Sequence, residues 1–158
     1  MKTLADAFEH TLQDMYYAEN AIAKSLPDVI SAVSRKELKT DLTAHLDETK
    51  GQIKTLEKVF KTIGKKPAGE KCDAIEGLIK ETESVMSDAK GASAKNAALI
   101  GCCQAIEHYE IARYGTLREW AKSLGNEEAH DLLTSILDQE KAANHKLTHM
   151  AVTMVNNS

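Results

Sequence analysis

The sequence predicts an all-α fold, a four-helix bundle in which a long crossover, carrying a short fifth helix, separates the second and third long helices. Three observations carry that reading. The 158 residues are 42% hydrophobic but only 4% aromatic, with two prolines and eight glycines. Such a composition supplies Ala, Leu, Lys and Glu where strands would need aromatic and β-branched residues and frequent turns. Apolar residues recur every three or four positions through four long stretches. The first and last pairs of stretches are joined tightly, at Ser34 and Gly125, whereas residues 64–93 separate the pairs. A chain of this length buries one core, so residues 1–158 are read as a single domain.

The first helix, residues 4–33, is marked by Leu4, Phe8, Leu12, Met15, Ile22 and Leu26, with Thr3 and Asp6 set as a capping box. Pro27 should bend its last turns, while Val29, Ile30 and Val33 keep the apolar register. Ser34 followed by Glu37 predicts a second capping box, opening a helix over 35–63 with Leu38, Leu42, Leu56, Val59, Phe60 and Ile63 inward. Gly64 ends it, and a loop rich in Gly, Lys and Pro follows to Gly69. A shorter helix over 70–90 presents Cys72, Ile75, Leu78, Ile79, Val85 and Met86. The third long helix, 94–124, is buried through Ala97, Ile100, Cys103, Ile111, Tyr114 and Ala121, and closed by Gly125. Asn126 caps the last, 127–153, which carries Ala129, Leu132, Leu133, Ile136, Leu147, Ala151 and Met154 before fraying into Asn156, Asn157 and Ser158.

Composition narrows function as well. Twenty basic and 24 acidic residues leave a net charge of −4, which offers no basic field for nucleic acid or anionic lipid. No apolar run reaches membrane-span length, and Asp6, Glu9 and His10 stand where a signal peptide needs its apolar stretch, so a cytoplasmic location is expected. Three cysteines, with Cys102 and Cys103 adjacent, make neither a disulfide framework nor a metal knuckle and read as small buried hydrophobes.

Carboxylates interrupt the apolar seams. Glu19 falls between Met15 and Ile22, and Glu140 between Ile136 and Leu147. Glu107 and Glu110 share one face of the third helix; His45, Glu48, Thr49 and Gln52 face inward between Leu42 and Leu56. Asn144 lies one turn beyond Glu140, roughly 40° off its line. Glu19, Glu48, Glu107 and Glu140 each stand about halfway along their helix, and midpoints meet in a bundle whatever its direction. A lone seam glutamate is ordinarily solvated or snorkels outward. Four at one level are a different matter, because each unpaired buried carboxylate costs several kcal/mol against a total stability of about 5–15 kcal/mol. Lys24, Lys50 and Lys141 point to flanks or surface, so bound cations are the economical way to neutralise them. Oxygen-rich ligation with at most one imidazole suits Fe(II) or Mn(II), and less specifically Mg(II), with no organic cofactor. His45 is read equally as ligand or as hydrogen-bond partner of a ligand; His108 and His145 point away. Tyr16 and Tyr114, each near a seam glutamate, are read as core residues donating a hydrogen bond.

The segments YYAENAIAKSLP, AHLDETKGQIKTLEKVF, CDAIEGLIKE, AIEHYEIARYGTLREWA and LDQEKAANHKLTHMA span nearly the whole chain. In them the chain resembles the ferritin-like di-metal proteins, and more closely the YciE/YciF family of small bacterial ferritin-like proteins. The resemblance implies a ferritin-like bundle with a di-metal-type centre, commonly a homodimer, linked to bacterial stress responses. The chain departs from the Glu-x-x-His pattern of ferritins and rubrerythrins: Gly51 stands three residues after Glu48 and Ala143 three after Glu140, and neither can ligate. His45, Gln52 and Asn144 are the substitutes within reach. Relatives resembling this chain often carry an acid at the position of Asn144, so a single cation, or an empty second seat, is expected as readily as two. Two functions follow: a redox metalloprotein disposing of peroxide or dioxygen, or a structural or storage-like stress protein whose metal, if any, holds the core together. A metal-free bundle with protonated or solvated glutamates is the third reading.

Overall fold

Thr3 opens the first helix as the sequence predicts: its side chain accepts from the Asp6 amide at 3.1 Å, and the Asp6 carboxylate accepts from the Thr3 amide at 3.1 Å. The computed structural model describes residues 1–156 and contains α1 (Leu4–Ala32), α2 (Lys36–Thr62), α3 (Asp73–Asp88), α4 (Ala92–Ser123) and α5 (Glu127–Met150). No strand occurs among the described residues, and the fold is all-α. α1 runs unbroken through Pro27, whose ring is exposed.

The second predicted capping box is not formed. Arg35 rather than Ser34 is the cap of α2, without a side-chain bond. Ser34 is engaged elsewhere: its amide donates to Asn96 Oδ1 at 2.9 Å and its hydroxyl accepts from Asn96 Nδ2 at 3.0 Å. A buried amide 62 residues away outcompetes the local cap. α3 likewise starts at Asp73 instead of near residue 70, because the preceding segment lies extended on α1. There the Glu70 amide donates to the Gln13 carbonyl at 3.3 Å, and a side chain at Gly69 would come within 3.2 Å of Tyr17 Cβ. Asn126 caps α5 by accepting from the Ala129 amide at 3.0 Å. The α-helix ends at Met150 and the next five residues, Ala151–Val155, form a π turn. Of the predicted frayed tail, Asn156 is exposed, while Asn157 and Ser158 lie outside the described residues. Gly64 (φ 67°) and Gly125 (φ 72°) take the left-handed conformation that stops α2 and α4.

Side-chain ties fix the topology. Asn126 Nδ2 donates to Thr62 Oγ1 at 2.8 Å, which places the end of α2 at the start of α5. The Ser34–Asn96 pair places the end of α1 at the start of α4. With α1 on α2, α2 on α5, α5 on α4 and α4 on α1, every neighbouring pair is antiparallel, and α1 and α5 point the same way across the diagonal. The crossover returns the chain along the bundle, as its length predicts: Tyr17 donates to Glu76 at 2.6 Å as α3 climbs beside α1, covering α1 and α4. Because α4 is covered by α3 as well as by the bundle, its burial departs from a single stripe. Ala97 and Ile111, expected inside, are half-buried, while Leu99, Ile106 and Leu117 are buried. Cys72 and Cys103 are buried and Cys102 half-buried, all as free thiols.

Candidate metal centre

Midway along the bundle the packing of Leu, Ile and Phe gives way to acids. Glu19 of α1, Glu107 and Glu110 of α4 and Glu140 of α5 are each at most 1% exposed, and His45 of α2 is 8% exposed. They meet because α1, α4 and α5 each carry a carboxyl, and α2 an imidazole, at a core position, and antiparallel neighbours align their midpoints. One ligating atom from each of His45, Glu107, Glu110 and Glu140 lies within 4.8 Å of the others. His45 Nε2 is 3.2 Å from Glu107 Oε1.

The other predicted residues are distributed around this cluster. Glu19 adjoins it and accepts a hydrogen bond from the buried Tyr114 hydroxyl. Gln52, also buried, donates through Nε2 to Glu140 Oε1, and to Gln139 Oε1 at 3.2 Å. Glu48 stands at the rim, its side chain 35% exposed and its Oε2 4.0 Å from His45 Nδ1. Asn144 is half-buried and accepts from Gln104 Nε2 at 3.2 Å, so its oxygen is engaged away from the cluster. His108 and His145 are exposed. Tyr16 donates to Glu57 at 3.3 Å, not to the seam glutamate expected. Sequence reasoning missed Gln104, and also Asp41 and Lys146, which line a small cavity beside the cluster with His45 and Glu107. Helical spacing would have found them, since Gln104 precedes Glu107 by one turn, as Asp41 precedes His45.

Electrostatics follows from burial. Loss of water, then the charge of Glu140, raises Glu19 to about 8 against the opposing Tyr114 hydrogen bond. Burial followed by interaction with Glu140 pushes Glu107 to about 11. Glu110 is raised well above the carboxyl range by burial and then by Glu19, Glu140 and Glu107. Glu140 is raised by burial, partly offset by hydrogen bonds from Glu107 and Gln52. Burial, then the positive charge of Lys146, lowers His45 to about 4. Burial thus favours the neutral form of both partners in the 3.2 Å His45–Glu107 contact, which weakens it as an ion pair. With only protein around them, burial favours the protonated form of each carboxyl. A cation would reverse that preference.

The donor set fits one. Glu19 Oε2, Glu107 Oε2, both Glu110 oxygens, Glu140 Oε2 and His45 Nδ1 are buried without a hydrogen-bond partner, an arrangement proteins rarely leave uncompensated. Carboxylate oxygens with one imidazole match the ligand preference of Fe(II) and Mn(II). A surface groove of about 780 Å³ between α1 and α3 lies elsewhere, along Tyr17, Lys24, Glu76 and Lys80.

Residues 3–158 match the family described as a domain of unknown function, DUF892. The chain belongs to the DUF892 family. Protein YciF of Escherichia coli strain K12 is 41% identical over 157 residues, covering 99% of this chain and 95% of the relative. The resemblance read from the sequence is thus shown. The crystal structure of that E. coli protein, described as a stress protein, superposes with a TM-score of 0.95 over 100% of both chains. YcfI of Rhodopseudomonas palustris, described as having a supposed structural role, is 46% identical with a TM-score of 0.92, covering 93% of this chain and 94% of its own. A Xanthomonas campestris protein, 22% identical with a TM-score of 0.78 over 98% of this chain and 95% of its own, shares the fold.

Proposed function

We propose that this DUF892 chain is a ferritin-like metal-binding stress protein whose bundle core holds Fe or Mn. The observation that carries the proposal is the convergence of His45, Glu107, Glu110 and Glu140, buried, with ligating atoms within 4.8 Å of one another. No lysine or arginine salt bridge reaches these glutamates or Glu19 among the described residues. One cation takes its ligands from those four side chains. A second, weaker seat draws on Glu19 Oε2, limited because Tyr114 and Gln52 already occupy one oxygen each of Glu19 and Glu140. A redox-active ion there would supply one-electron exchange with peroxide or dioxygen. The stress role is supported by the description of the E. coli relative, and the homodimeric state by the family resemblance. Among the described residues no helix is long and apolar enough to cross a membrane; we place the protein in the cytoplasm.

A second reading keeps the metal but gives it a structural role. It is favoured by the cavity beside the centre, about 10 Å³, room for about one water and for no organic substrate. Elemental analysis of protein purified without chelator, followed by anaerobic loading with Fe(II) or Mn(II) and assays of peroxide and dioxygen consumption, separates the readings. Metal with consumption supports the redox role, and metal that only raises Tm supports the structural one. A protein that takes up neither ion after loading ends both.

A further inference from the structure

The centre is sealed unevenly. On the α1 side Glu19 is fully buried with the Tyr114 hydroxyl on its carboxyl group, and Glu110 and Glu140 are at most 1% exposed. On the other side His45 retains some exposure, and the 10 Å³ cavity adjoins it between α2, α4 and α5. Its walls include the buried His45, Glu107 and Ala143, the half-buried Asp41 and Glu48, and the exposed Lys146. Ala143 stands one turn from Glu140 and contributes only a methyl group to the wall of this cavity. The Lys146 ammonium acts electrostatically on both Asp41 and His45.

We propose that cations enter and leave the centre through this one mouth, drawn in by Asp41 and Glu48, opposed by Lys146, and admitted past Ala143. The inference rests on the metal-centre reading above. A hydrated divalent ion is wider than the resting cavity, so passage requires α5 and α2 to separate transiently at Ala143, and the charges at the lip set how often an ion is there when they do.

Three variants outside the ligand set test the route in the full-length protein: Ala143→Val, Asp41→Asn and Lys146→Gln. Each is loaded anaerobically with Fe(II), its equilibrium occupancy is measured, and release is followed by stopped-flow trapping in excess ferrozine. At unchanged occupancy, uptake and release through one mouth change by the same factor. Ala143→Val slows release by about tenfold. Asp41→Asn slows it and Lys146→Gln speeds it, each by a few-fold, and these two effects fade at high salt. A merely structural role for these residues would not give charge changes of opposite sign opposite kinetic effects. If Ala143→Val fails to fold, the two charge variants decide. Wild-type release rates in all foldable variants, at full occupancy, would overturn the mouth while leaving the metal centre standing. A wild-type protein that takes up no Fe(II) at equilibrium overturns the centre itself.

Discussion

The end of the bundle near Gly64 and Gly125 and its middle are built on opposite terms. At the end, Phe8, Leu12, Leu56, Phe60, Leu117 and Leu133 are all at most 1% exposed, and the Tyr16 and Phe60 rings meet edge-on at 5.7 Å. These side chains contribute stability through apolar area and close packing, about 1.5–3 kcal/mol for each large side chain buried. In the middle, four buried glutamates crowd together with oxygens that have no partner. Desolvation there opposes folding, and the layer is held in place by the apolar layers on either side. A core layer that opposes folding of the free protein supports the cation site proposed for it.

Phe60→Ala should cause the largest change, a loss of about 3–5 kcal/mol from a cavity in a close-packed layer. Urea titrations should return the same loss with and without metal and across the neutral pH range. A loss that depended on metal would mean that the two regions are not energetically separate.

Metal loading probes the middle layer next. At a free ion concentration a hundred times Kd, binding to the folded state alone adds about 2.7 kcal/mol, read as a rise in Tm. Glu140→Ala should lose both the ion and that rise. A variant that matched wild type in metal content and in metal-dependent Tm would remove the carboxyl layer from the functional account.

The pH dependence of the metal-free protein is the third probe, and its sign is opposite to that of an ordinary salt-bridged acid. Glu19 and Glu107 titrate near 8 and 11 when folded, against 4.5 for the unfolded groups. Their neutral forms are fully compatible with the fold below pH 4.5, and stability is lost as pH rises through the folded values. His45 works the other way, since its folded value of about 4 against 6.5 makes stability fall as pH drops below 6.5. Between pH 6.5 and 8 the carboxyls dominate: the folded state holds on the order of 1.5 more protons than the unfolded one, and metal-free stability should fall by about 2 kcal/mol per pH unit in thermal or urea unfolding. Bound metal should flatten or reverse that slope, because the cation favours the ionised carboxylates. Rising stability of the metal-free protein over this interval would show that the glutamates are already ionised and solvated.

How much of this was legible in the sequence depends on how far apart the deciding residues lie. The five helices, the crossover and the level of Glu19, Glu107 and Glu140 follow from period and midpoint, which are properties of each helix separately. Glu48 was placed at the core by the same arithmetic yet stands at the rim, because helix rotation by a few tens of degrees decides burial and depends on the neighbouring helices. Asn144 turns to Gln104, a pairing across 40 residues. Ile111 is left half-buried because α3, not the bundle alone, shapes the surroundings of α4.

The two capping boxes make the same point at the smallest energy, and they supply the last prediction. Thr3 and Asp6 bond only within the first turn and its approach, where the Asp6 carboxylate also accepts from the Lys2 amide at 2.7 Å, so the local pattern holds and Thr3→Ala should cost about 1 kcal/mol without touching metal affinity. Ser34 carries the same signature beside Glu37, but Asn96 offers it two hydrogen bonds at once, joining the turn between α1 and α2 to the start of α4. If Ser34 acted as a cap, the effects of Ser34→Ala and Asn96→Ala would simply add. The tie predicts coupling instead: the double variant should lose less than the sum of the singles, by about 0.5–1 kcal/mol in a double-mutant cycle. Additive losses would return Ser34 to the local role its sequence suggests and leave the register of α4 against α1 to be set by apolar packing alone.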